Sequence, residues 1–295
     1  MIDLIVDGNS LWARAYFAAH REENVRELEG AFEAPGSAAA VAVKMVLNIL
    51  NPFGNKLGRK VDRTLFCWDG NPKREKRRHV PKPPSYEPEL AEFIPILKEL
   101  FGAASCHPLD HEADDAVATA VYRGKLSDVV YVVSADKDLQ QLQGENVQFY
   151  DLKDGVRSRE SILQRWNVKR PSQICIALAI LGDPGDNIAG IRGWGPKKVE
   201  KLFQHVTSDM DLEHVLEIIE SQIPHDKLME FRESLDLTIL DPDVPGVPDP
   251  APLAWAAVEA LHKHKLGECV GSYLQVRQAY EGEMSDDEMD RLIDA

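Results

Sequence analysis

The sequence predicts an α/β fold with a mostly parallel sheet, followed by a helical C-terminal region. Three observations carry this reading. Short apolar, β-branched runs recur at 2–6 (IDLIV), 64–68 (TLFCW), 128–134 (DVVYVVS) and 146–150 (NVQFY), each bounded by polar residues. Helix-patterned stretches separate those runs, as in βαβ units. Carboxylates stand where the apolar runs end, and open α/β sheets bind ligands just outside the carboxyl ends of their strands.

Taken in order, residues 2–6 form a first strand ending at Asp7-Gly8-Asn9, and Ser10 is placed to cap a helix to about Ala19. The charged stretch 20–36, with Pro35 and Gly36, reads as a loop. Ala38 to Leu50 is apolar and helix-favouring, and it stops at Asn51-Pro52 because the residue before a proline avoids the helical region. After the strand at 64–68, residues 70–87 are basic, proline-rich and poor in aliphatics. Long loops of this kind inside compact domains are functional or disordered. Pro88 to Phe101 is helical, with a kink expected at Pro95 and a stop at Gly102. The rest of the chain is organised around His111 to Asp138. There Glu112, Asp114 and Asp115 open an Ala/Val-rich helix that ends at Gly124, DVVYVVS follows as a buried strand, and Asp136 and Asp138 come directly after it. A strand at 146–150 precedes helices at 159–166 and 172–181. Gly182, Gly185, Gly190, Gly193 and Gly195 break up the next loop, and Pro196 suits a first helical position. Two helices occupy 209–240, a proline-rich loop 241–252, and further helix 253–280.

Composition bounds the function. The 295 residues hold one large or two medium domains, and 44% hydrophobic with 28% charged residues is globular. No apolar run approaches a membrane span, and the N-terminus patterns as a strand rather than a signal peptide, so a cytosolic protein is expected. Cys67, Cys106, Cys175 and Cys269 lack CxxC spacing and read as reduced core thiols. The formal net charge of −15 argues by itself against a nucleic-acid partner. Its distribution argues the other way. Lys73, Arg74, Lys76, Arg77, Arg78 and Lys82 crowd one segment against Glu75 alone, whereas Glu281, Glu283, Asp286, Asp287, Glu288, Asp290 and Asp294 crowd the C-terminus against Arg291.

The acids carry the chemistry. One acidic turn at a helix start is also what the helix dipole favours, and Asp-x-Asp after a strand is also a common turn. Recurrence distinguishes this chain: Asp7, Asp69, Asp136, Asp138, Asp183 and Asp186 stand where an apolar element runs out, and the EADD of 112–115 opens the apolar helix between them. Two carboxylates ~4 Å apart repel by roughly 4 kcal/mol at a surface-like dielectric. Several such pairs rival the whole stability of a domain, about 5–15 kcal/mol. Convergence therefore requires protonation or bound cations, and an all-oxygen set without a Cys/His cluster suits Mg²⁺ or Mn²⁺. Basic residues beside such a site suit a phosphate backbone. The GxGxK pattern opening a helix, with Lys197 and Lys198, forms a phosphate cradle that grips without reading bases.

Asp7 in VDGNSL, Asp69 in FCWDG, EADD at 112–115, SADKD at 134–138 and LGDPGDNIAGIRGWGPKK at 181–198 stand in fixed order. Together they resemble the 5′ nuclease family of flap endonucleases, phage 5′→3′ exonucleases and the 5′-nuclease domain of bacterial DNA polymerase I. The resemblance spans roughly residues 1–205. It implies a Rossmann-like (PIN-like) nuclease core over 1–170, with a basic arch-like segment at about 70–87. A helical DNA-binding region over 171–280 would follow, with a helix–three-turn–helix at about 172–204, and then an acidic tail over 281–295 that is expected to be disordered. By motif match, Asp7, Asp69, Glu112 and Asp114 serve a first divalent ion, with Asp115 close by and acting through water. Asp136, Asp138, Asp183 and Asp186 serve a second. The resemblance also implies K⁺ in the loop at about Gly190 to Gly195, with Gly193, Gly195, Lys197 and Lys198 on duplex phosphates. The family's arch carries an Arg and then a Tyr-Lys pair; this chain departs from it, since Tyr86 comes after Lys82. Arg74 and Lys82 are assigned those roles, with Lys76, Arg77 and Arg78 as alternatives and Lys73 beside them.

The implied activity is hydrolysis of DNA phosphodiesters near 5′ ends or flaps, and of RNA in RNA–DNA hybrids, giving 5′-phosphates in replication or repair. The implied protein is a stand-alone monomer of bacterial or phage type, in the bacterial or phage-infected host cytosol, that meets replication proteins. Two alternatives stay open. A PIN-type ribonuclease is usually shorter and lacks the glycine-rich cradle. A non-catalytic structure-specific DNA-binding accessory would be supported by missing acids, yet every expected carboxylate position is filled. A phosphatase reading fails because Asp7-Gly8-Asn9 lacks the second Asp of a DxD motif.

Overall fold

Among the described residues, seven strands build one sheet. In chain order they are β1 (Ile2–Asp7), β2 (Arg63–Cys67), β3 (Ala104–Cys106), β4 (Val129–Ser134), β5 (Val147–Asp151), β6 (Gly155–Val156) and β7 (Ala251–Pro252). The spatial order is β3-β2-β1-β4-β5-β6, with β7 added alongside β2. The pairs β3·β2, β2·β1, β1·β4 and β4·β5 are parallel, and only β5·β6 and β2·β7 are antiparallel. This computed structural model describes residues 1–29, 37–53, 57–70, 82–123 and 128–282, with the side chains of 21–29 left out. Gly124, Lys73, Arg74, Lys76, Arg77, Arg78 and the acidic tail from 283 lie outside the described residues.

Because β1 lies between β2 and β4, the chain leaves it in opposite directions along the sheet. The carboxyl ends of β1 and β4 therefore flank a topological switch point, where open α/β sheets form their crevice. Every residue of β1 is buried, the pattern of a strand covered on both faces. Its side chains alternate between two cores. Leu4 and Val6 join one core with Trp12 and Tyr16 of α1 (Gly8–Glu29), Val43 and Leu47 of α2 (Ala38–Leu50), and Phe93 and Leu97 of α3 (Tyr86–Phe101). Ile5 joins the other with Val117 of α4 (Ala113–Arg123), Ile162 of α5 (Arg159–Trp166), the apolar α6 (Ile174–Leu181) and Val199 of α7 (Pro196–Leu202). Val215 and Ile219 of α8 (Leu212–Ser221) and Phe231 of α9 (His225–Thr238) complete it. Leu261 of α10 (Glu259–Lys263) and Tyr273 and Leu274 of α11 (Val270–Glu281) return to the first core. The helical stretch 171–280 is thus divided between the two faces of the sheet.

Several local expectations need correction. Helix α1 runs to Glu29 rather than ending near Ala19, so the stretch 20–29 is helical and not loop. Its glutamates, arginines and leucine are good helix formers, and charge alone does not make a loop. Ser10 does not cap α1. Asp7 accepts the Ser10 N–H at 3.0 Å, and the Ser10 hydroxyl takes the Ala135 N–H at 2.9 Å instead. Residues 253–258 are not helical, and the 241–252 loop ends in β7. By contrast, Ser37 does cap α2 through the Ala40 N–H, Pro95 lies inside α3, and Pro196 opens α7. All four cysteines are free and buried. Among the described residues, no helix is long and apolar enough to cross a membrane.

Candidate active site

Two groups of carboxylates meet at the switch point. The first hangs on the ends of β1 and β2. Asp7 closes β1, and its side chain is buried between two donors: Ser10 N–H at 3.0 Å and the Ser134 hydroxyl at 2.6 Å. Burial pushes its carboxyl up to about 7 against those hydrogen bonds, and the charges of Asp136 and Asp69 add to the rise. Asp69, just past β2, is locked to Asn9: its N–H donates to Asn9 Oδ1 at 2.9 Å, and Asn9 Nδ2 donates to Asp69 Oδ2 at 2.7 Å. Its other oxygen accepts the Ala113 N–H at 3.0 Å, which caps α4. That cap ties the acids at the start of α4 to the end of β2. Glu112, Asp114 and Asp115 are all buried there. Asp115 spends one oxygen on a distant segment, accepting the Asp241 N–H at 2.9 Å.

The second group follows β4 and α6. Oxygens of Asp136, Asp138 and Asp186 lie within 4.8 Å of one another, a spacing that suits one hard cation. Asp136 N–H donates to the Ser134 hydroxyl at 2.8 Å, and Asp138 N–H donates to Asp136 Oδ1 at 2.9 Å. Asp138 Oδ1 is buried without a hydrogen-bond partner. Burial, with the charges of Asp136 and Asp186, pushes Asp138 up to about 8. Asp183 accepts the Gly185 N–H at 2.9 Å and is paired with Lys137. Burial would raise its carboxyl, but Lys137 and the Gly185 N–H outweigh it, and Asp183 stays below the usual value. An all-carboxylate donor set with an orphaned buried oxygen fits Mg²⁺ or Mn²⁺. Asp183 stands beside the trio, its side chain engaged by Lys137, the Gly185 N–H and Asp186.

The glycine-rich loop links α6 to α7. Gly190 takes φ +66, and a Cβ there would lie 2.3 Å from Gly182 N, so the loop closes on itself only with glycine. Lys197 is exposed at the start of α7, and Lys198 lies 4.3 Å over the Trp194 ring. Of the basic segment's candidates only Lys82 is described. It pairs with Glu87 at 2.7 Å and sits 4.6 Å over the Tyr86 ring, so its ammonium is held at the start of α3.

Sequence reasoning missed four polar residues. Ser134 bridges Asp7 and Asp136, Asn9 fixes Asp69, Lys137 pairs with Asp183, and Asp241 engages Asp115. The first three lie inside the acidic motifs, and their polarity was a usable signal. Asp241 carried none, since its partner is 126 residues away.

A mostly parallel α/β sheet with carboxylates crowding its switch point defines an α/β protein whose acidic crevice has the spacing to hold a divalent ion. A family profile for the 5′-3′ exonuclease N-terminal resolvase-like domain matches residues 3–170, and the chain belongs to that family. The DNA polymerase I of Geobacillus stearothermophilus is 29% identical over 286 residues, which cover 92% of this chain and 31% of that one. The 5′-3′ exonuclease of Aquifex aeolicus is 28% identical over 250 residues, covering 81% of this chain and 82% of that one. The match thus spans under a third of the polymerase relative and most of the exonuclease. Solved structures share the fold. A mutant T5 5′-exonuclease superposes with a TM-score of 0.51 at 20% identity, covering 99% of this chain and 96% of that one. Human GEN1 in complex with Holliday junction DNA gives 0.56 at 16% identity, covering 97% and 75%.

Proposed function

We propose that this chain is a divalent-metal-dependent 5′→3′ exonuclease and flap endonuclease, hydrolysing DNA phosphodiesters near 5′ ends and leaving 5′-phosphates. The observation that carries the reading is the Asp136–Asp138–Asp186 cluster at the switch point, in a chain of the 5′-3′ exonuclease family. Asp7, Asp69, Glu112 and Asp114 are assigned to a first Mg²⁺, and Asp136, Asp138, Asp183 and Asp186 to a second. When bound, the ions supply an activated water and neutralise charge on the reacting phosphate and leaving oxygen.

The chain's own residues hold and orient. Ser134 fixes Asp7 and Asp136 relative to each other, and Asp69 fixes α4. Asp115 supports Asp241 with one oxygen, which leaves its second oxygen for a water at the first site. The carboxylates do not attack; they position. Lys197 and Lys198 hold duplex phosphates at the start of α7, and the basic segment 73–82 steadies the charge of the scissile phosphate. On this reading the stretch 171–280 supplies the duplex-binding surface. A backbone grip of this kind also admits RNA in RNA–DNA hybrids, and K⁺ in the 190–195 loop would order the cradle.

The test uses 5′-labelled flap DNA, blunt duplex and single strand, each with Mg²⁺ and with EDTA, alongside Asp183→Asn. Metal-dependent product is expected, with its length separating flap cutting from stepwise digestion. Asp183→Asn should lose at least about a hundredfold in cleavage while keeping most DNA binding, since loss even of a ligand's supporting contact costs about 10–100-fold. Tight binding without cleavage in either Mg²⁺ or Mn²⁺ would favour the accessory-binder alternative.

A further inference from the structure

The ligand assignment leaves Lys137 unexplained. It lies between Asp136 and Asp138 in sequence, yet its ammonium is turned onto Asp183. Lysine side chains on a surface normally keep their charge in water. Here the Lys137 side chain is 32% exposed and that of Asp183 only 6%. Fixing so long a side chain costs it rotamer freedom. The arrangement is explained by what surrounds it. Asp136, Asp138 and Asp186 crowd within 4.8 Å, and Asp183 is tied to the same turn, with Asp186 N–H donating to its carbonyl at 3.2 Å. The lysine brings positive charge to a cluster whose members repel one another.

We propose that Lys137 is the resident counter-cation of the second carboxylate cluster: its ammonium holds Asp183 in the metal-free protein and must leave that carboxylate before a divalent ion takes it as a ligand. The proposal rests on the nuclease reading. An ammonium and a divalent ion on the same carboxylate repel at short range, so the two occupancies exclude each other. Metal entry is then an exchange, in which the divalent ion replaces the ammonium as the positive charge on Asp183. The lysine sets the concentration at which the second ion loads, because the ion must displace a tethered competitor.

The experiment is calorimetric titration of Mn²⁺ into EDTA-stripped protein, without DNA, for wild type, Lys137→Met and Lys137→Arg. Melting curves of each are taken with and without Mn²⁺. Lys137→Met should bind Mn²⁺ about tenfold more tightly at the second carboxylate cluster, a ratio equal to about 1.4 kcal/mol. Lys137→Arg, which keeps the charge, should retain wild-type affinity within a few-fold. Without metal, Lys137→Met should melt several degrees below wild type, and saturating Mn²⁺ should close that gap. Lys137→Gln gives a second neutral variant should the first fail to fold. Equal or weaker Mn²⁺ affinity in the neutral variants overturns the proposal and leaves the nuclease reading standing. A melting deficit that Mn²⁺ does not change also overturns it, marking an ordinary structural ion pair. A folded wild type that takes up no Mn²⁺ overturns the nuclease reading, and the proposal with it.

Discussion

A single hydroxyl joins the two proposed metal sets. Ser134 donates to Asp7 at 2.6 Å and accepts the Asp136 N–H at 2.8 Å, and its side chain is wholly buried. Ser134→Ala leaves a buried carboxylate oxygen and a backbone N–H without that partner, at a cost of about 1–3 kcal/mol. We expect a melting temperature several degrees lower and a cleavage rate that falls more than DNA affinity does. An unchanged melting temperature would show that water replaces the hydroxyl. At this scale the carboxylates stood out in the sequence, because Asp7, Asp69, Asp136, Asp138, Asp183 and Asp186 follow apolar runs and Glu112, Asp114 and Asp115 open one. Their supports were less so. Asn9 and Ser134 act through contacts 60 and 127 residues apart, and spacing along the chain does not report such contacts. Asp115 was read as a water-mediated aid to metal; its hydrogen bond to Asp241 shows an added structural duty.

At the scale of elements, the α6–loop–α7 unit depends on close backbone approach. Gly190→Ala puts a Cβ against the Gly182 backbone at a positive φ, so it should open the loop and destabilise the protein. Duplex binding should weaken alongside, and a wild-type melting temperature for that variant would refute the packing argument. Lys197→Ala with Lys198→Ala should leave stability intact and weaken duplex binding uniformly across sequences. Each lost phosphate contact removes about 0.9 from the slope of log affinity against log salt. An unchanged slope would place the cradle elsewhere. The unit was legible because glycines and Pro196 punctuate it. The 20–29 half of α1 was not, because its charged residues suit both a loop and an exposed helix. Strand β3 was missed because three residues carry no periodicity, and only pairing with β2 defines it.

For the whole molecule, the crowded acids tie stability to pH and, on the proposed reading, to bound metal. Burial raises Asp7 to about 7 and Asp138 to about 8. A raised carboxyl keeps its proton in the fold at a pH where the unfolded chain has lost it. Its stabilising contribution is therefore complete below the ordinary carboxylate value and is lost as pH climbs through the raised one. One pKa unit is about 1.4 kcal/mol, so the two acids together shift stability by several kcal/mol across that range. Asp183, held below the usual value, acts with the opposite sign and only at lower pH, where falling pH removes its contribution. In EDTA, the melting temperature should fall from about pH 4 to about pH 8 and level off above that. Divalent ions bind the deprotonated carboxylates, so the stabilisation they add should grow over the same interval. Melting curves across that range, with EDTA and with saturating Mg²⁺, measure both slopes. A flat EDTA curve would mean that Asp7 and Asp138 ionise freely in the fold. A Mg²⁺ effect independent of pH would mean that the ion binds away from them.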